Sequence, residues 1–118
     1  MKKHLIWRGK KLAEFKERAR SLAQERLSHF NQFYGFEIKK VSIKNQKTRW
    51  GSCSKKGNLN FNFKILFLPA KLQDYIIVHE LCHLQELNHS SHFWGLVAQT
   101  FPDWRGLKKE LRASVLNL

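Results

Sequence analysis

Leu72-Gln73-Asp74-Tyr75-Ile76-Ile77-Val78-His79-Glu80-Leu81-Cys82-His83-Leu84-Gln85-Glu86-Leu87 is the stretch on which the reading of this chain turns. Its apolar residues cover most of a helical circumference, and a helix apolar nearly all round is a buried one. Pro69 suits the entry to that helix, and Asn88, which tolerates left-handed backbone, is the expected break after it. Within the helix stand His79, Glu80 and His83 in the pattern H-E-x-x-H. Positions i and i+4 share one face, so both imidazoles can reach a single Zn2+. Glu80, one residue off, can address a water beside the metal. Two histidines and a glutamate without such a task would be a costly burial.

A catalytic zinc needs a third protein ligand and one open position. After His83 the candidates are Glu86, His89, His92, Asp103 and Glu110. Glu86 lies farther along the same helix and is expected to face solvent or to buttress a ligand. A chain that folds back near Asn88 brings His89 to the metal. His92 ranks second, with a surface or supporting role as its plainer reading, and Glu110 third. Tyr75, one turn before His79, could donate to a developing oxyanion, although simple core burial is the commoner fate of such a residue. Arg49 and Trp50 are candidates for the border of a substrate cleft. Cys82 reads as a small buried hydrophobe, because a fourth protein ligand would close the site, and Cys53 as structural.

Outward from this helix the periodicity changes twice. Leu12, Phe15, Ala19, Leu22, Ala23, Leu27 and Phe30 recur at helical spacing, giving an N-terminal helix from about Leu5 to Phe33 that Gly35 ends. Phe36 to Ile43, Thr48 to Cys53, and Leu59 to Ile65 then read as three strands, with a turn at residues 54–58. Their short connections favour antiparallel pairing. Ser90 or Ser91 can cap a helix carrying Phe93, Trp94, Leu96 and Val97. Pro102-Asp103 breaks it, and Trp104 to Leu116 reads as a last amphipathic helix. The expectation is an α+β fold forming one domain over residues 1–118. It has an N-terminal helix, a small antiparallel three-stranded sheet, the buried H-E-x-x-H helix and C-terminal helices.

With 42% hydrophobic and 26% charged residues, 6 Gly and 2 Pro, the 118-residue chain is neither collagen-like nor wholly disordered. Apolar runs such as Ile65 to Leu68 fall far short of the ~18 residues of a membrane span. Leu5-Ile6-Trp7 is too short for a signal-peptide core of about 7–15 residues. Two cysteines cannot build a disulfide framework, so a soluble, cytoplasmic protein is expected. The net charge of +13 is uneven: residues 1–56 hold 16 Lys and Arg against 4 Asp and Glu, residues 57–118 hold 6 against 5. Such a surplus suits an anionic partner, nucleic acid first, with Lys39, Lys40, Lys55 and Lys56 as candidate contacts.

Thr48-Arg49-Trp50-Gly51-Ser52-Cys53, Asp74-Tyr75, His79-Glu80-Leu81-Cys82-His83, and Asn88-His89-Ser90 followed by Phe93-Trp94 together resemble the YgjP-like metallopeptidase domain, a relative of the SprT-like and WLM zinc proteases. The similarity runs from roughly Glu14 to Leu111, and the joint occurrence is far more specific than H-E-x-x-H alone. It implies a zinc-dependent peptidase with one Zn2+ on His79, His83 and His89, and Glu80 as the catalytic glutamate; His92 falls where the motif is open. Members of that group usually carry a β-rich segment before the first helix. This chain starts almost at the helix, so binding features housed there are not expected in it. The His83-to-His89 spacing equals that of metzincins, but Glu86 replaces their glycine, and Met1 is the only methionine, which excludes a Met-turn.

The expected function is peptide-bond hydrolysis by a metal-activated water with Glu80 as general base, on protein or peptide substrates that are acidic or associated with nucleic acid. The alternatives are a metal-dependent hydrolase of nucleotide phosphoanhydrides and a non-catalytic, zinc-containing nucleic-acid-binding module. The charge asymmetry carries its own test. Binding to duplex DNA, measured by fluorescence anisotropy, should be weak and weaken with salt, with a log–log slope of about −3 to −6. No binding at low salt would return the surplus to a solvated surface.

Overall fold

Ala19, Ala23, Leu27 and Phe30 form the buried stripe of a 26-residue helix, α1 (Gly9–Tyr34), as their helical spacing requires. The computed structural model describes residues 9–114. The helical turns expected before residue 9 and after residue 114 lie outside that range. Helix α1 ends where Gly35 takes a φ of 70° and its N–H bonds the Asn31 carbonyl at 2.8 Å, a conformation that costs glycine least.

Three short strands follow: β1 (Lys40–Lys44), β2 (Gly51–Cys53) and β3 (Asn58–Asn62). The sheet is mixed, which corrects the all-antiparallel expectation. β2 and β3 pair antiparallel across the turn at residues 54–58, but β3 lies between the other two and runs parallel to β1. Six residues, 45–50, carry the chain from β1 past β3 to β2. Two strand spacings are about 9.6 Å, well within the roughly 20 Å that six extended residues span. A short connection therefore did not require its two strands to be neighbours.

Asn62 explains both that connection and the early end of β3. It is fully buried. Its Nδ2 donates to the carbonyls of Gln46 (2.8 Å) and Arg49 (2.9 Å), and its Oδ1 accepts from the Lys64 N–H. The last contact caps a 3-10 helix at Phe63–Phe67, so the alternation expected to continue as strand to Ile65 stops at Asn62.

Helix α2 (Ala70–His83) carries the H-E-x-x-H sequence and buries Leu72, Tyr75, Ile76, Ile77, Val78, Leu81 and Cys82. It packs on α1, and Arg26 clamps the two through a paired contact with Asp74 (2.9 and 3.1 Å). The helix ends sooner than the sequence suggests. Gln85 and Glu86 N–H both bond the Cys82 carbonyl at 3.1 Å, and Asn88 does not adopt a left-handed conformation. Helix α3 (Ser91–Ala98) is capped by Ser90, whose Oγ accepts from Phe93 N–H, and α4 (Trp104–Arg112) closes the described chain. Among the described residues no helix is long and apolar enough to cross a membrane.

Asn62→Ala removes the two hydrogen bonds to the Gln46 and Arg49 carbonyls and the cap of the 3-10 helix. It should cost about 1–3 kcal/mol in urea unfolding and speed hydrogen exchange across residues 46–50. Unchanged stability would show that the loop is held by other contacts.

Candidate metal centre

Because α2 presents positions i and i+4 on one face, the His79 and His83 rings lie 4.8 Å apart, centroid to centroid. The early helix end then folds His89 back over them. One ring nitrogen from each of the three lies within 4.8 Å of the others, and His83 Nε2 is 3.0 Å from His89 Nε2. Tetrahedral nitrogen ligands about 2.0–2.1 Å from zinc stand roughly 3.3 Å apart, so small ring rotations fit one ion. The donor chemistry fits as well. His83 Nδ1 lies 2.9 Å from the Glu86 carbonyl, which accepts a hydrogen bond from its N–H and so leaves the Nε2 lone pair free. Burial lowers the pKa of His83 and His89, with the His79 charge lowering both further, and so favours the neutral, ligating imidazole. Burial runs from His83, inside, through His79 to an exposed His89, which leaves one side of the cluster open.

Aromatic rings set these imidazoles in place. Phe93, fully buried on α3, stacks on His83 at 4.2 Å and meets His79 and His89 edge-on at 5.1 Å each. Trp94 stacks on His89 at 5.7 Å and on Trp104 at 3.9 Å, so α4 supports the exposed imidazole through two indoles. Sequence reasoning placed Phe93 and Trp94 on a helix but not around the metal, because packing across α2, α3 and α4 leaves no local signal.

Glu80 is 5% exposed, with Oε2 3.3 Å from His79 Nδ1. It lies against β2 at Gly51. A Cβ there would sit 3.0 Å from Glu80 Cγ and 3.0 Å from the Asn60 carbonyl oxygen. The glycine of the Trp50-Gly51-Ser52 run thus suits the close approach of strand and carboxylate, where a side chain would be crowded, a feature the sequence alone did not reveal. Glu80, His79 and His89 open into a cleft of about 520 Å³, bordered also by Arg49, Trp50 and Tyr75. Burial, then Glu80, pushes the Tyr75 phenol up to about 12, so it remains a proton donor.

The other sequence candidates lie apart from the cluster. Glu86 buttresses His83 through its main-chain carbonyl, not its carboxylate. His92 is exposed on the far side of α3, beside Ser91 and Gln99. Glu110 pairs with Lys71 at 3.1 Å. Burial raises the thiols of Cys53 to about 11 and Cys82 to about 12, which keeps both protonated. Lys39, Lys55 and Lys56 line a second groove of about 400 Å³; Lys40 lies outside it, and Lys39 Nζ is paired with Glu37 at 3.1 Å.

Three clustered imidazoles, two of them lining an open cleft beside a carboxylate in an α+β scaffold, are the equipment of a metallohydrolase. Residues 4–114 match the YgjP-like metallopeptidase domain, and the chain belongs to that family. Membership implies a divalent metal, typically zinc. Among solved structures the fold is similar to the metallopeptidase zymogen abylysin of Pyrococcus abyssi, with 27% identity and a TM-score of 0.68 over 75% of this chain and 90% of that one. It is also similar in fold to the metallopeptidase zymogen jannalysin of Methanocaldococcus jannaschii, with 24% identity and a TM-score of 0.61 over 79% and 92%. No curated protein matches the chain.

Metal content by atomic emission should be about one zinc per chain, and His79→Ala, His83→Ala or His89→Ala should each largely empty the site. His92→Ala should leave it full. Retention in His89→Ala with loss in His92→Ala would reassign the third ligand.

Proposed function

We propose that this metallopeptidase hydrolyses peptide bonds with one Zn2+ held by His79, His83 and His89, and with Glu80 as general base. The observation that carries this reading is the joint geometry: three imidazole nitrogens within 4.8 Å, with the Glu80 carboxylate at their edge in the same cleft. A zinc ion supplies Lewis acidity there, polarising a scissile carbonyl and acidifying a water. The protein's own residues do the rest. Glu80, held between His79 and the Gly51 backbone, takes the proton of the attacking water and passes it to the leaving amine nitrogen. Tyr75, protonated at neutral pH, donates toward the oxyanion that develops on the carbonyl oxygen. Glu86, through its carbonyl, and Phe93 keep the His83 ring at one tilt, so that the ligand set needs little reorganisation on loading.

A structural zinc in a nucleic-acid-binding module is less well supported, because such a site closes its fourth position and has no use for a carboxylate at its edge. A nucleotide phosphoanhydride substrate is opposed by family membership, and a nucleotide panel serves as its control. Glu80→Gln removes a base but not a ligand. The variant should keep its zinc while turnover of casein or a peptide mixture, followed by mass spectrometry, falls by about 10²–10⁴. Wild-type turnover in Glu80→Gln would remove the glutamate from the mechanism.

A further inference from the structure

We propose that Arg49, Lys108 and Arg112 select peptides bearing an acidic side chain beside the bond to be cleaved, an inference that rests on the peptidase reading above. All three line the cleft that contains His79, Glu80 and His89. Lys108 and Arg112 are four residues apart on α4 and so share one face of it. Arg49 arrives from a different element, the loop before β2, whose carbonyl at that residue is tied to Asn62.

Lys108 is also held in place. Its Nζ lies 5.0 Å from the centre of the Trp94 ring, and Trp94 is the ring stacked on His89. The ammonium therefore stands beside the histidine cluster instead of sweeping free solvent. Among the described residues, none of the three cations is ion-paired, whereas exposed Lys39 and Lys71 have found Glu37 and Glu110. Glu80 is the single carboxylate among the lining residues, and proton transfer occupies it. Unpaired cations lining a concave site focus their field into it and raise the local concentration of anionic ligands.

Of these three cations only Arg49 belongs to the surplus in residues 1–56. The half of the chain that holds 6 basic against 5 acidic residues supplies two of the three cleft cations. A peptide that offers Asp or Glu next to the scissile bond would complete pairs that the fold leaves unmade.

The test uses zinc-loaded full-length protein and fluorogenic peptides of one backbone, with Glu, Gln or Lys at each position flanking the cleaved bond. Glu should exceed Gln by about 5–50-fold in kcat/KM at low salt, and the ratio should shrink as salt rises. The double variant Lys108→Glu/Arg112→Glu should retain zinc and turn the preference toward Lys peptides. Lys109→Glu reverses one charge on α4 outside the cleft and should leave the preference as it was. The same ranking should appear in equilibrium binding to zinc-loaded Glu80→Gln, read from tryptophan fluorescence.

Equal cleavage of the Glu, Gln and Lys peptides would overturn the selectivity and leave the peptidase standing. A preference untouched by the double variant, or equally altered by Lys109→Glu, would overturn the assignment to these residues. A single-stranded oligonucleotide that displaces the peptide from wild type but not from the double variant would hand the cations to nucleic acid and overturn it too. Cleavage of no peptide at all by zinc-loaded wild type would overturn the peptidase reading and this inference with it.

Discussion

Helix α2 buries two imidazoles and a carboxylate among apolar side chains, and polar atoms removed from water must find partners. Much of the surrounding structure meets that demand. The chain stops being helical at His83, so that the Glu86 carbonyl can turn back and accept a hydrogen bond from Nδ1–H. The same turn swings His89 over the helix end and leads into α3, whose Phe93 covers the ring faces that no polar group reaches. On the other flank, β2 approaches Glu80 so closely at Gly51 that a side chain there would crowd the carboxylate. The three imidazoles could share one cation, and under the proposed function such a cation would tie metal binding to folding as well as to chemistry.

Support for the site reaches well beyond the residues that touch it. Asp74, on the first turns of α2, is gripped by Arg26 of α1, so the long helix fixes the direction in which the histidines point. Asn62 holds the backbone of residues 46 and 49 from beneath, and through that loop it positions Arg49, Trp50 and Gly51 along the cleft. Trp104 supports Trp94, which supports His89. Each chain of contacts starts on a different element and ends on one wall of the same cavity.

What could be read from the sequence was whatever depends on neighbours three or four residues away. The apolar circumference of α2, the Ala19–Ala23–Leu27 stripe of α1 and the Ser90 cap all have local causes, and they were legible. The gathering of His79 and His83 follows from i, i+4 geometry alone. The parallel pairing of β1 with β3 was not legible, since the short link between β1 and β2 carries no sign that β3 inserts between them. Nor was the early end of β3, because Asn62 reads as one polar position in an alternating strand until its side chain is seen capping Lys64. Asn88 pointed to a left-handed break, yet the helix ended through ordinary tight turns that place the Glu86 carbonyl against His83. The first is set by long-range pairing, the other two by side-chain and turn contacts that residue propensities do not announce.

The central claim is a three-imidazole site with a fourth position open to solvent, and zinc X-ray absorption on the loaded protein tests it most directly. The spectrum should show three imidazole nitrogens at about 2.0–2.1 Å and one further light atom, with no sulfur contribution. A zinc–sulfur distance near 2.3 Å, which would bring Cys82 or Cys53 to the metal, would contradict it, as would four protein ligands closing the site.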